Sequence, residues 1–203
     1  MTFAEHLARR LRYGKPIVVV AGLPRSGTSM LMNMLLHGGV PLLTDGIRSA
    51  DECNPLGYFE YEPVKELDKH GDLSWLPRAR GKAVKIISFL LTWLPETYDY
   101  RVIFMQRDLD EIIDSQNQMI ARREQPSDTA GDSRTRKIYT DHLAQVARLL
   151  ASRRCFLSLP VSYRDVIEDP RRQARRIREF LDRPLDIDRM AATVDARLYR
   201  NRH

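Results

Sequence analysis

Residues 16–35 of the chain are PIVVVAGLPRSGTSMLMNML, in which an apolar run, a glycine-bearing loop and a helical pattern follow one another. The apolar run is rich in β-branched residues, as a buried strand is. Gly22 and Gly27 let the loop backbone turn so that several N–H groups converge on one anion, and the start of the following helix adds its dipole. The stretch therefore predicts a phosphate-binding loop between a strand and a helix of an α/β protein.

The spacing of the two glycines matches the Walker A motif, but Thr28 stands where that motif has lysine. A kinase or NTPase needs this lysine, and a magnesium-binding acid at a second strand end, and neither is evident. Arg25 lies inside the loop instead, where its planar guanidinium can hold a phosphate or sulfonate through two hydrogen bonds. A plain strand-to-helix turn is the simpler alternative, although such a turn does not need this set of polar residues, which is Arg25, Ser26, Thr28 and Ser29.

The composition indicates one folded domain over residues 1–203. The chain is 43% hydrophobic and 30% charged, which provides enough apolar material for a core. Cys53 and Cys155 are far apart and form no Cys-x-x-Cys motif, so a disulfide scaffold and a zinc ribbon are both unsupported. We therefore expect a reducing, cytoplasmic setting. The apolar stretches are shorter than the roughly 18 residues that a membrane span needs, so no span is predicted.

The chain carries a net charge of +6, and its densest basic run is RRQARRIR at residues 171–178. On a helix, Ile177, Phe180 and Leu181 would supply a buried face and leave the arginines in solvent. No nucleic-acid-binding motif accompanies the run. We therefore predict no nucleic-acid partner.

Apolar strands and amphipathic helices alternate along the chain, which is typical of a parallel sheet covered on both faces. The predicted strands are 16–21, 83–88, 101–105 and 155–159. The N-terminal residues predict a short amphipathic helix, and further helices are predicted at 27–37, 61–70, 109–123, 133–153, 171–182 and 187–194. The pattern predicts a three-layer α/β/α fold of the P-loop type with a central, mostly parallel sheet.

The loop GLPRSGTS at residues 22–29 resembles the 5′-phosphosulfate loop of sulfotransferases that use 3′-phosphoadenosine 5′-phosphosulfate (PAPS). That family has a second motif, a strand ending in Arg with Ser eight residues later, which contacts the 3′-phosphate. Arg107 and Ser115 have this spacing. Residues 162–170, SYRDVIEDP, are similar to a third family motif, although Arg164 stands where the family has glutamate.

The resemblance implies a role for several side chains. The loop residues Arg25, Ser26, Gly27, Thr28 and Ser29 would bind the phosphosulfate, and Lys85 resembles the family lysine that reaches the bridging oxygen. Tyr163 would lie near the adenine, or it is simply a core tyrosine. Arg200 lies in a basic C-terminal tail that resembles a family segment covering the 3′-phosphate, but the tail lacks that segment's glycine. The donor would be PAPS, the product adenosine 3′,5′-bisphosphate (PAP), and no metal is required.

The proton-accepting base is less defined. Phenol and steroid sulfotransferases have a histidine two residues beyond the lysine, where this chain has Ile87. None of the five histidines is an obvious replacement, and His142 fits a helix face. Other family members use a carboxylate, which favours Asp45 slightly over Glu60, although either could be a loop cap or a surface acid.

These observations predict in-line transfer of a sulfuryl group from PAPS to a hydroxyl or amine. The acceptor would be a small molecule, a carbohydrate or a peptide, and a homodimer is possible. A P-loop kinase or NTPase, and a non-catalytic protein that binds PAP or PAPS, remain the alternatives.

Overall fold

The computed structural model describes residues 3–47, 57–69, 71–121 and 131–195. Four parallel strands form one sheet in the order β2-β1-β3-β4. Their bounds are β1 Ile17–Gly22, β2 Ala83–Ile87, β3 Tyr100–Gln106 and β4 Phe156–Ser162. Because all four strands are parallel, their carboxyl ends meet at one edge of the sheet, where ligands of open α/β sheets bind.

Helices cover both faces of this sheet. They are α1 Phe3–Tyr13, α2 Thr28–His37, α3 Leu76–Ala79, α4 Leu109–Ala121, α5 Gly131–Ser152, α6 Tyr163–Glu168, α7 Pro170–Leu181 and α8 Ile187–Ala192. Two 3₁₀ helices, Glu62–Lys69 and Ser88–Trp93, complete the described elements. The predicted α/β fold with a parallel sheet between helical layers is confirmed. No helix in these described ranges is long and apolar enough to cross a membrane.

Each face of the sheet has its own apolar core. On one face, Val18 and Val20 of β1 pack with α2, α7 and α8. On the other face, Val19 of β1 and Ile86 of β2 pack with α3, α5 and the first 3₁₀ helix. Neighbouring residues of β1 therefore serve opposite cores, since successive side chains of a strand point to opposite faces.

Some element bounds and types differ from the predictions. The segment predicted as a helix at 61–70 is 3₁₀, and its buried Val64 and Leu67 are three residues apart, which matches the 3₁₀ repeat. β4 continues through Pro160. Proline cannot donate a backbone hydrogen bond, but an edge strand such as β4 tolerates it because only one side of the strand pairs with a neighbour. The short helices α3 and α6 and the 3₁₀ helix after β2 were not predicted.

Arg9 of α1 links three segments of the chain at the amino-terminal edge of the sheet. Its Nε donates to Oδ1 of Asp99 at 3.0 Å, and Asp99 is only 2% exposed. Its Nη1 and Nη2 donate to the carbonyl oxygens of Arg154 at 2.7 Å and Cys155 at 3.1 Å. One guanidinium thus joins α1, the approach to β3 and the start of β4.

We expect Arg9→Ala to lower the free energy of unfolding by about 3 kcal/mol, because it leaves the buried Asp99 carboxylate without its closest cation. Urea unfolding followed by circular dichroism measures this loss. Arg10→Ala is the matched control, since the exposed Arg10 side chain lies next in sequence, and it should cost less than about 0.5 kcal/mol. Equal losses in the two variants would contradict the role of Arg9.

Candidate functional site

The loop between β1 and α2 lies at the carboxyl edge of the sheet, and its two glycines permit close packing there. A Cβ on Gly27 would lie 2.4 Å from Cδ2 of Tyr163, and the φ of Gly27 is +101°. A Cβ on Gly22 would lie 2.8 Å from the carbonyl oxygen of Met105. Any larger residue at either position would push the loop away from β3 or α6.

Arg25, Arg107 and Ser115, predicted from two separate motifs, come together beside this loop. The Arg25 backbone is left-handed, with a φ of +71°, and its Nε donates to Oγ of Ser115 at 3.0 Å. Nη1 of Arg107 donates to the carbonyl oxygen of Arg25 at 3.2 Å. Asp108 orients the start of α4 because its Oδ1 accepts from the N–H of Asp110 at 2.8 Å. Two cationic groups and a hydroxyl therefore lie close together.

Arg107 has two further contacts that fix its guanidinium. Its Nε donates to Oε2 of Glu111 at 2.7 Å, and its Cζ lies 4.5 Å from the centre of the Tyr163 ring. Burial raises the pKa of Tyr163, and the Arg107 charge partly offsets that rise. Glu111 was not singled out in the sequence, although it lies four residues beyond Arg107, a spacing at which helical side chains pair.

Ser26 is 1% exposed, and its Oγ has no hydrogen-bond partner among the described residues. It lines a cavity of about 470 Å³ whose wall also includes Arg107 and is otherwise mostly apolar. Buried hydroxyls in proteins are usually paired with protein or water. The Ser26 hydroxyl is thus an available polar group at the base of the loop.

Lys85 reaches the start of α2 from the neighbouring strand. It is paired in register with Val20 of β1, and its Nζ donates to the carbonyl oxygen of Tyr58 at 2.6 Å and to Oγ of Ser29 at 3.4 Å. Its ammonium is thereby held on the α2 face of the sheet, beside the loop.

The two predicted carboxylate bases lie near each other, and both are engaged. Oδ1 of Asp45 accepts from the N–H of Ile47 at 3.1 Å, and its Oδ2 accepts from the N–H of Glu62 at 2.5 Å. The N–H of Asp45 donates to the carbonyl oxygen of Glu60 at 3.2 Å. Oε2 of Glu60 pairs with Nζ of Lys65 at 3.0 Å. The Asp45 carboxylate thus organises two loop segments, and its catalytic role stays a prediction.

Arg200 lies outside the described residues. Within those residues, no group of His, Cys, Asp and Glu side chains could hold a metal ion.

His142 lies at the same edge of the sheet, which the sequence analysis did not anticipate. Its Nε2 is 2.8 Å from Oγ of Ser88, the residue that follows β2, and its ring stacks on Phe89 with centroids 3.7 Å apart. Because 54 residues separate His142 from Ser88, no local sequence signal indicates this contact.

Comparisons with known proteins bear on the family and the fold of the chain. The sequence model of a protein family, described as the Sulfotransferase family, matches residues 74–187, more than half of the chain. The matched range includes Lys85, Arg107, Ser115 and Tyr163. No curated protein sequence matches the chain significantly.

The structure is similar to that of the sulfotransferase domain from the Synechococcus PCC 7002 olefin synthase. The TM-score is 0.55 and the sequence identity is 18%, over 91% of this chain and 78% of that one. At this identity the similarity concerns the fold.

We expect Gly27→Ala to lower the free energy of unfolding by about 2–4 kcal/mol, because it adds a clash with Tyr163 to the cost of a left-handed alanine. Gly39→Ala separates the two effects. Gly39 also has a positive φ, +91°, but its Cβ would meet nothing within 4 Å, so this variant should lose only about 1–2 kcal/mol. Urea unfolding of both variants measures the difference, and equal losses would contradict the packing of Tyr163 on the loop.

Proposed function

Because the chain belongs to the sulfotransferase family, we propose that it transfers the sulfuryl group of PAPS to a hydroxyl or amine acceptor. The convergence of Arg25, Arg107 and Ser115 is the observation that carries this proposal. A donor with phosphate groups at both its 5′ and 3′ positions needs two anion sites a short distance apart. The loop and the Arg107–Ser115 pair meet this requirement.

In the proposed donor complex, the backbone N–H groups of residues 26–29 and the start of α2 bind the 5′-phosphosulfate. The 3′-phosphate lies between Arg107 and Ser115, where its oxygens replace the Arg25 side chain as the partner of the Ser115 hydroxyl. Tyr163 packs near the adenine. The Ser26 hydroxyl, which has no partner among the described residues, is available to a donor oxygen or to water. Charge-assisted hydrogen bonds of this kind supply both affinity and orientation.

In the transfer step, the acceptor oxygen or nitrogen forms a bond to sulfur while the bond from sulfur to the bridging oxygen breaks. The acceptor loses its proton to a base, and the negative charge develops on the leaving 5′-phosphate of PAP. Lys85 lies on the α2 side of the loop, where its ammonium can stabilise the bridging oxygen. This chemistry calls for no metal.

The acceptor is proposed to be a small molecule, a carbohydrate or a peptide. We also propose a cytoplasmic location, since the sequence has two cysteines far apart and no disulfide framework.

Calorimetric titration of the metal-free protein with PAP tests the donor site. We expect binding that depends on the 3′-phosphate, so that 5′-AMP binds far more weakly. Ser115→Ala should weaken PAP binding by about tenfold, because it removes a hydrogen bond to a charged group, and it should leave 5′-AMP binding unchanged. Arg164→Ala removes an exposed arginine and serves as the control.

Each result of these titrations has a distinct meaning. Binding of ATP with magnesium in preference to PAP would contradict the proposal and favour a kinase. PAP binding without PAPS turnover on any acceptor would favour a non-catalytic binding protein.

Lys85→Met tests the leaving-group role. We expect kcat for PAPS turnover to fall by about 10²–10³-fold, because the ammonium acts on charge that develops only in the transition state. The affinity for PAP should change by less than about threefold. Lys82→Met, one residue before the start of β2, is the matched control. A parallel loss of PAP affinity and kcat in Lys85→Met would indicate a binding role instead.

A further inference from the structure

His142 and Ser88 form a hydrogen-bonded pair beside the phosphate loop. Ile87, the last residue of β2, is paired in register with Gly22, where the loop begins. Ser88 follows directly in the chain and is 1% exposed. His142 of α5 contacts Ser88 at the turn that follows β2. The pair therefore lies at the carboxyl edge of β2, three residues or roughly 10 Å of strand beyond Lys85.

The two ring nitrogens of His142 have different surroundings. Nε2 is 2.8 Å from Oγ of Ser88, whereas Nδ1 has no hydrogen bond to the part of the chain that is described. Stacking on Phe89, with an angle of 8° between the rings, fixes the plane of the imidazole. In the tautomer whose Nε2–H donates to Ser88, Nδ1 carries a lone pair that can accept a proton.

Lys85 and His142 approach this edge from opposite faces of the sheet. Lys85 contacts Ser29 on the α2 face, while α5 packs on the opposite face through Val146. An in-line displacement places the leaving oxygen and the attacking atom on opposite sides of the sulfur. The placement of a cation on one face and a proton acceptor on the other is compatible with that arrangement.

Burial lowers the pKa of His142, which favours the neutral form of its imidazole. From α4, the uncharged Gln116 pairs with Tyr139 of α5, whose ring centre lies 6.3 Å from that of Phe89. The 3₁₀ helix Ser88–Trp93 contributes Ser88 and Phe89 to the surroundings of His142. Asp141, which precedes His142 on α5, is exposed.

We propose that His142 accepts the proton of the acceptor at Nδ1 during sulfuryl transfer, with Ser88 as the residue that positions its ring. The inference rests on the proposed function. The acceptor O–H or N–H bond breaks, its proton passes to Nδ1, its electron pair forms the new bond to sulfur, and PAP leaves with the bridging oxygen. Asp45, by contrast, has both carboxylate oxygens engaged by backbone N–H groups.

The first test needs no acceptor. The pKa of His142 is measured by NMR titration of its ring Cε1–H resonance, assigned with His142→Gln, in free protein and with saturating PAP. We expect PAP to raise the pKa of His142 by about 0.3–1 unit, because phosphate charges roughly 10 Å away stabilise the imidazolium. His37, at the far end of α2 and about 15 Å from the loop, is the internal control and should shift by less than about 0.1.

The second test separates a base from a merely structural histidine. On an acceptor that the wild-type protein sulfates, His142→Gln should lower kcat by about 10²-fold or more. Turnover of the wild type should rise with pH through the pKa of His142, since only the neutral imidazole accepts a proton, and this acid limb should vanish in His142→Gln. Ser88→Ala should lower kcat by about tenfold and keep the limb. His37→Gln is the matched control and should retain the wild-type rate.

The outcomes distinguish this inference from the proposed function. Absence of PAP binding would overturn the donor site itself. PAP binding that leaves the pKa of His142 unchanged would overturn the role of His142 alone. A turnover rate of His142→Gln within about threefold of the wild-type rate would also overturn the role of His142. Loss of the acid limb in Asp45→Asn but not in His142→Gln would assign the base to Asp45.

Discussion

The guanidinium of Arg107, whose side chain is 9% exposed, is the group on which the geometry of the site depends. It contacts Glu111 on α4, the ring of Tyr163 on α6 and the carbonyl oxygen of Arg25 in the loop. A cation in such a place is tolerated only where nearby groups compensate its lost hydration. The shape of the loop, the start of α4 and the chain after β4 are therefore mutually dependent. An anionic donor would find its arginine already oriented, which reduces the ordering cost of binding.

The carboxyl end of β2 carries the groups proposed for two parts of the reaction, which are stabilisation of the leaving group and removal of the acceptor proton. Because side chains alternate along a strand, this strand and the residue after it present Lys85 to the α2 side and Ser88 to the α5 side. Ile87 between them is 39% exposed and carries no polar group. Under the proposed mechanism, a histidine from α5 would take the role that the resemblance assigns to a strand histidine in the phenol and steroid enzymes.

Much of the fold could be predicted from the sequence, because the four strands are short runs rich in apolar residues, which are mostly β-branched in β1 and β2. Within the site, features formed by residues close in sequence could be predicted: the 22–29 loop, and Arg107 with Ser115 eight residues later. Contacts between segments distant in sequence could not be predicted. The His142–Ser88 pair depends on how α5 packs against the turn after β2, and the capture of the Asp45 carboxylate by the N–H of Glu62 depends on the meeting of two loops. The 3₁₀ form of Glu62–Lys69 escaped prediction because apolar residues three apart are also compatible with an α-helix.

In the part of the chain that the structure describes, each edge of the sheet carries one feature that disfavours pairing with a further strand, which bears on self-association. At the β2 edge, residues 41–43 already pair with Ala83: its N–H donates to the carbonyl oxygen of Pro41, and its carbonyl oxygen accepts from Leu43. At the β4 edge, Pro160 has no N–H to offer to an added strand. Exposed edges are the usual templates for edge-to-edge aggregation. Continuation of the sheet into a second copy of the chain is therefore disfavoured at these two positions, Ala83 and Pro160.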